Sequence, residues 1–129
     1  MKHAFLIMAH GSLPLLRVLL SMLDDERNDI FLHIDRKSDM LDGAEPLVLS
    51  KARLFVLEQR VDVRWGNLSQ IKAEYVLFEE ALKHGPYAYY HLLSGQDLPI
   101  KSQDYIHQFF EEHQGKEFVG INHGEEFEW

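Results

Sequence analysis

The sequence predicts an α/β protein in which a mostly parallel sheet carries helices on both faces. Apolar runs at residues 5–9, 30–34 and 89–93 each stop abruptly at polar residues, the pattern of strands buried on both faces. Segments of helical length stand between such runs, and strands separated in that way join through right-handed crossovers into a parallel sheet.

The first strand, residues 5–9, ends at His10 and Gly11. Leu13, Leu15, Leu16, Val18, Leu19, Leu20, Met22 and Leu23 then form a helix apolar nearly all round, which predicts a place between the sheet and another layer. Asp24, Asp25, Asn28 and Asp29 break it before the second strand, residues 30–34, which stops at Asp35, Arg36 and Lys37. Residues 40–50 read as a loop plus a short helix, and 54–57 as a third short strand. A polar connection runs through Arg64, Trp65, Gly66 and Asn67. Ser69 is the expected N-cap of the next helix, and Ile71, Tyr75, Phe78, Ala81 and Leu82 trace its expected core face. Gly85 and Pro86 stop that helix, and residues 87–93 form the fourth strand. Ser102 caps a helix over about 103–112 whose expected core face is Tyr105, Ile106, Phe109 and Phe110, and residues 116–121 return as a strand. With no repeat or linker, residues 1–129 read as one α/β domain. Its last six residues neither complete a helix nor resemble a tail, the expected sign of a longer chain.

Composition sets the limits. A chain of 129 residues that is 46% apolar can bury one core. Its apolar stretches fall short of the roughly 18 residues of a membrane-spanning helix, and no secretory signal opens it. The absence of cysteine excludes disulfides and thiolate metal sites and fits a reducing compartment. The expected location is therefore the cytoplasm, free or at the periphery of a membrane. A net charge of -8 argues against nucleic acid as a partner, because phosphate backbones bind clusters of lysine and arginine.

In open α/β sheets ligands collect where strands end, so the candidate site is read from the three strand ends, whose residues suit a nucleotide. Asp35 ranks first. A carboxylate there accepts hydrogen bonds from ribose hydroxyls or a base N–H, or alternatively pairs with Arg36 or Lys37 and caps its own turn. Arg36 and Lys37 suit phosphate, or stand as solvated loop charges. Ala9, His10 and Gly11 close the first strand, where glycine permits close backbone approach and imidazole can donate or accept a hydrogen bond. Trp65 can stack on a planar base or pack beneath its loop. Gly95, Gln96 and Asp97 follow Ser94 in a turn that is neither a nucleophile elbow nor a P-loop, and Asp97 either faces the crevice or caps the turn. Eight histidines lack metal-ligand spacing, although His33 and Asp35 share a strand face and with His10 make one conceivable metal set.

Four motifs occur in an order that resembles the core-2/I-branching glycosyltransferases. They are residues 4–10, then His33 to Lys37, then Trp65 with Ser69 to Glu74, then Ser94 to Lys101. That family includes β-1,6-N-acetylglucosaminyltransferases and peptide O-xylosyltransferases. The resemblance covers almost the whole chain and looks like the N-terminal part of the family's catalytic domain. It implies the Rossmann-like, nucleotide-binding half of a GT-A glycosyltransferase fold. Asp35 is then at the nucleotide and Trp65 against uracil. Most GT-A enzymes hold a divalent ion with an Asp-x-Asp motif, which this sequence lacks, and the resembled family works without one.

The resulting expectation is an inverting, metal-independent transferase that moves N-acetylglucosamine or a similar sugar from a UDP-sugar to a glycan acceptor, with no further cofactor. The resemblance puts the catalytic base beyond Trp129, so no catalytic residue is assigned. The 129 residues alone are expected to be inactive and to self-associate through surface that the C-terminal half of the protein would cover. The rivals are a nucleotide-binding or interaction module without chemistry, and a metal-dependent hydrolase built on His10, His33 and Asp35.

Overall fold

The computed structural model describes residues 2–64, 68–95 and 102–112. The predicted strand over 116–121 lies outside them. Four strands, β1 (His3–Ala9), β2 (Asn28–Ile34), β3 (Arg53–Val56) and β4 (Tyr89–Ser94), form one sheet in the order β3-β2-β1-β4. All three pairings are parallel, as the apolar runs predict. Helix α1 (Leu13–Leu23) links β1 to β2, α2 (Leu68–His84) links β3 to β4, and α3 (Gln103–Glu112) follows β4.

Strand alternation sends Phe5, Ile7, Ile30 and Leu32 to one face, where they pack with Leu16, Leu19, Leu20 and Leu23 of α1. Ala4, Leu6 and Phe31 go to the other and meet Leu77 and Ala81 of α2. The helices therefore lie on both faces. The α1 N-terminus is capped by Ser12, whose Oγ accepts the Leu15 N–H at 3.3 Å. Among the described residues Met40, Leu41, Leu47 and Leu49 pack against the α1-side core, and Val18 and Met22 are exposed.

The short helix expected within 40–50 does not form. A turn at 40–43 with Gly43 at φ 69° leads into irregular chain through Pro46. The segment is held instead by Asp24, whose carboxylate accepts the backbone N–H groups of Ser50, Lys51 and Ala52 at 2.8–2.9 Å. Burial opposes ionisation of Asp24, but those N–H groups outweigh it and bring the pKa down to about 2.

The α2 face is the main correction. Ala73, Leu77 and Ala81 are its buried residues, whereas Ile71, Tyr75 and Leu82, expected inside, are 48%, 65% and 65% exposed. The sheet beneath supplies the bulk: Phe31 stacks on Phe55 with ring centroids 4.9 Å apart and meets Tyr87 edge-on. Ala73 and Ala81 let the helix approach that surface closely, with the fully buried Leu77 between them and Val76 and Phe78 packed at the side. Ser69 is not the N-cap either. The helix already includes Leu68, and the Ser69 Oγ accepts the Arg64 N–H at 2.8 Å, tying the preceding loop to the first turn.

On α3, Ser102 caps as expected, its Oγ accepting the Tyr105 N–H at 3.1 Å. Tyr105 is exposed, and the buried residues are Ile106, His107 and Phe110. His107 Nε2 donates to Asn28 Oδ1 at 2.8 Å, and its ring lies tilted against that of His3 with centroids 3.9 Å apart. His3 Nδ1 in turn shares a proton with His91 Nε2 at 3.0 Å. On the opposite face of the sheet the fully buried Asp29 accepts from Lys2, Arg53 and the Tyr87 hydroxyl. Burial resists its charge, but those donors hold its pKa down at about 2.

Candidate functional site

The strand order puts the carboxyl ends of β2, β1 and β4 side by side. From β1 the chain reaches β2 through α1 on one face, and β4 is reached through α2 on the other. β1 and β4 therefore flank the point where the direction of winding reverses, the place where open α/β sheets bind ligands. Backbone bonds fasten the two outer ends to the central one: Asp35 N–H donates to Ala9 O at 2.9 Å, and Gly95 N–H to Met8 O at 2.8 Å. Gly11 turns the chain out of β1 at φ 91°, a region that favours glycine.

Gly95 is required by close approach. A Cβ there would lie 3.0 Å from Ala9 Cβ and 3.2 Å from Ala9 Cα. Gly95→Ala is expected to force the ends of β1 and β4 apart and cost about 1–3 kcal/mol, as overpacking does. A urea-denaturation midpoint matching wild type would contradict this.

A cleft opens at these ends on the α2 face of the sheet. His33, Met8 and Ser94 form one row across its floor, since Met8 is in register with both of the others, and Leu92 continues it on β4. Gln70 and Glu74, one helical turn apart, enter from α2. Ala9, His10, Asp35, Val63 and Leu93 complete the lining.

Asp35 is buried and largely committed to its own loop. Its Oδ1 accepts the Lys37 N–H at 3.0 Å and the Val63 N–H at 3.3 Å, and the Lys37 ammonium sits 3.0 Å from Oδ2. Burial works to raise its pKa, but the Lys37 N–H, the Lys37 ammonium and the Val63 N–H hold it below the ordinary carboxylate value. Lys37 Nζ also donates to Asp62 Oδ1 at 2.7 Å and to the Val63 carbonyl. Of the sequence alternatives, pairing with Lys37 is realised, and Lys37 is spent within the protein. Arg36 stays exposed, with a loose 3.9 Å approach to Asp62.

His33 ties the same loop down. Its Nε2 accepts the Val61 N–H at 2.9 Å, so the neutral ring carries its proton at Nδ1, and burial depresses its pKa. Arg60 adds bonds to the carbonyls of Ile34, Asp35 and Ser38. With that His33 lone pair occupied, His10, His33 and Asp35 do not assemble a ligand set. Among the described residues no three of His, Cys, Asp or Glu are grouped to hold a metal ion.

Of the sequence-predicted residues, Ala9, His10 and Asp35 line the cleft, and Gly11, Arg36, Lys37 and Gly95 stand at its strand ends. Trp65, Gln96 and Asp97 lie outside the described residues. Gln70, Glu74 and Val63 were missed as site residues, because their places depend on how α2 and its loop cross the sheet. Two signals were available: Gln70 and Glu74 fall within the third family motif, and their spacing of four puts them on one helix face.

This geometry belongs to a chain that matches the core-2/I-branching enzyme family over residues 3–128. The chain belongs to that family. The resemblance read from the four motifs is thereby established, and the parallel sheet with helices on both faces agrees with its Rossmann-like fold. The family is one of glycosyltransferases, so the chain is assigned to transferase chemistry at that level. No curated protein matches the chain. Among the described residues no helix is long and apolar enough to cross a membrane.

Proposed function

We propose that the cleft at the ends of β4, β1 and β2 binds the nucleotide of a UDP-sugar. The chain then forms the donor-binding part of an inverting, metal-independent transferase that delivers N-acetylglucosamine or a similar sugar to a glycan acceptor. The observation that carries this reading is a cleft at the winding-reversal point of a sheet whose sequence matches a glycosyltransferase family. Metal independence rests on the sequence, which lacks the Asp-x-Asp pair expected to hold a divalent ion.

In the reaction a carboxylate base takes the proton of an acceptor hydroxyl as its oxygen attacks the anomeric carbon. The bond from that carbon to the diphosphate breaks on the opposite side, inverting the centre, and cationic groups receive the departing charge. In this reading Arg36 is the cation of the cleft mouth that reaches phosphate, because Lys37 is held by Asp35 and Asp62. Trp65, Gln96 and Asp97 are proposed to complete the nucleotide contacts. No described residue is assigned as the base.

Calorimetric titration tests the proposal. UDP is expected to bind in excess EDTA at least tenfold more tightly than ADP, and Arg36→Ala to weaken UDP more than uridine. Absence of UDP binding, or binding only with manganese or magnesium, overturns it.

A further inference from the structure

We propose that Glu74, with Gln70 one turn before it, is the acceptor that reads a hydrogen-bond donor on the ligand in this cleft. The inference rests on the nucleotide reading above and assigns a residue to it.

The carboxylates near the strand ends differ in what they have left to offer. Asp35 Oδ1 is filled by two backbone N–H groups and both its oxygens face the Lys37 ammonium. Asp62 is shared among Lys37, Arg64 and Arg36. Glu74 lines the cleft half-buried, and among the described residues its side chain has no hydrogen bond or ion pair; the same holds for Gln70. His33 supplies it no charge, because the ring is held neutral by its bond from Val61 and by burial.

A half-buried carboxylate without donors forfeits part of its hydration, a cost that donors on a ligand recover. An ionised carboxylate only accepts, and it accepts from several donors at once, whereas Gln70 can both donate and accept. Met8 and Leu92 give the same cleft an apolar floor. The pair therefore suits a group that shows an apolar surface with N–H or O–H donors on one edge. A uridine nucleotide can bring such donors from two sources, the imide N–H of its base and the hydroxyls of its ribose.

The experiment titrates UDP, 3-methyl-UDP and 2′-deoxy-UDP against wild type, Glu74→Gln and Glu74→Ala. Circular dichroism confirms the fold, which Gln and Ala, both good helix formers, are expected to preserve. Wild type is expected to bind one analogue about tenfold more weakly than UDP. Loss on the 3-methyl analogue names the base as the source, and loss on the 2′-deoxy analogue names the ribose. In Glu74→Ala, UDP binding should fall about tenfold and the gap between UDP and that analogue should close to within about threefold, with Glu74→Gln in between. Undiminished UDP affinity in Glu74→Ala, with the wild-type analogue preference intact, overturns the Glu74 assignment and leaves the nucleotide reading standing. Failure of wild type to bind UDP overturns both.

Discussion

Stability is expected to fall steeply as the pH is lowered from about 7 to about 4, with the three-histidine cluster as the cause. Burial pushes the pKa values of His3 and His91 from 6.5 down to about 3, and that of His107 to about 4. His107 adds to this at His3 and His91, and His3 at His91, while Arg27 presses further on His107 and His3, opposed at His107 by Asp25 and Asp104. In the unfolded chain all three take up protons near pH 6.5, whereas in the folded chain they stay neutral until the pH reaches 3–4. The unfolded state therefore binds more protons throughout that window, and stability rises with pH across it. Each histidine contributes a slope of up to about 1.4 kcal/mol per pH unit. The carboxylates act lower. Asp24, Asp25 and Asp29, with pKa values brought from 3.8 to about 2, stabilise the fold above 3.8 and lose that contribution as the pH falls toward 2. Urea denaturation followed across this range measures the slope, and His91→Gln should flatten it between pH 6.5 and 4. A flat wild-type profile in that interval would refute the assignment.

The largest effect of a single substitution is expected at Phe31. Its side chain is fully buried beneath α2, stacked on Phe55 and set edge-on to Tyr87. Phe31→Ala removes that contact area and leaves a cavity that α2 cannot fill without sliding, a loss of about 3–5 kcal/mol. Against the roughly 5–15 kcal/mol of total stability of a domain, such a loss approaches unfolding. Tyr75→Ser, at a position equally apolar in sequence, is expected to stay within about 0.5 kcal/mol of wild type because Tyr75 already faces solvent. Denaturation midpoints of the two variants measured side by side check the contrast, and equal losses would return Tyr75 to the core.

β1 and β2 were legible in the sequence because burial on both faces imposes a short apolar run locally, and β3 and β4, though only partly buried, carry shorter apolar runs of the same kind. Ser102 was legible as a cap for a similar reason, since its bond to Tyr105 lies within one turn. The strand ends as the place of the site followed from the same runs, and the order of four motifs named the family. Tertiary structure decided what depends on partners distant in the chain. The apolar residues of α2 outnumber what one face can bury, so periodicity alone left the choice open. The sheet surface of Phe31 and Phe55 beneath the helix selected the stripe Ala73, Leu77 and Ala81. Asp35 reads in sequence as an open strand-end carboxylate, yet the return of residues 60–63 across the end of β2 fills it with the Val63 N–H and brings Asp62 to Lys37. His3, His91 and His107 are far apart in the chain and become one buried cluster only when β1, β4 and α3 meet. Local runs determine where strands form and end. The crossing of helices and loops over the sheet determines which side chains are used up in holding it, and which, like Glu74, keep their hydrogen-bonding capacity.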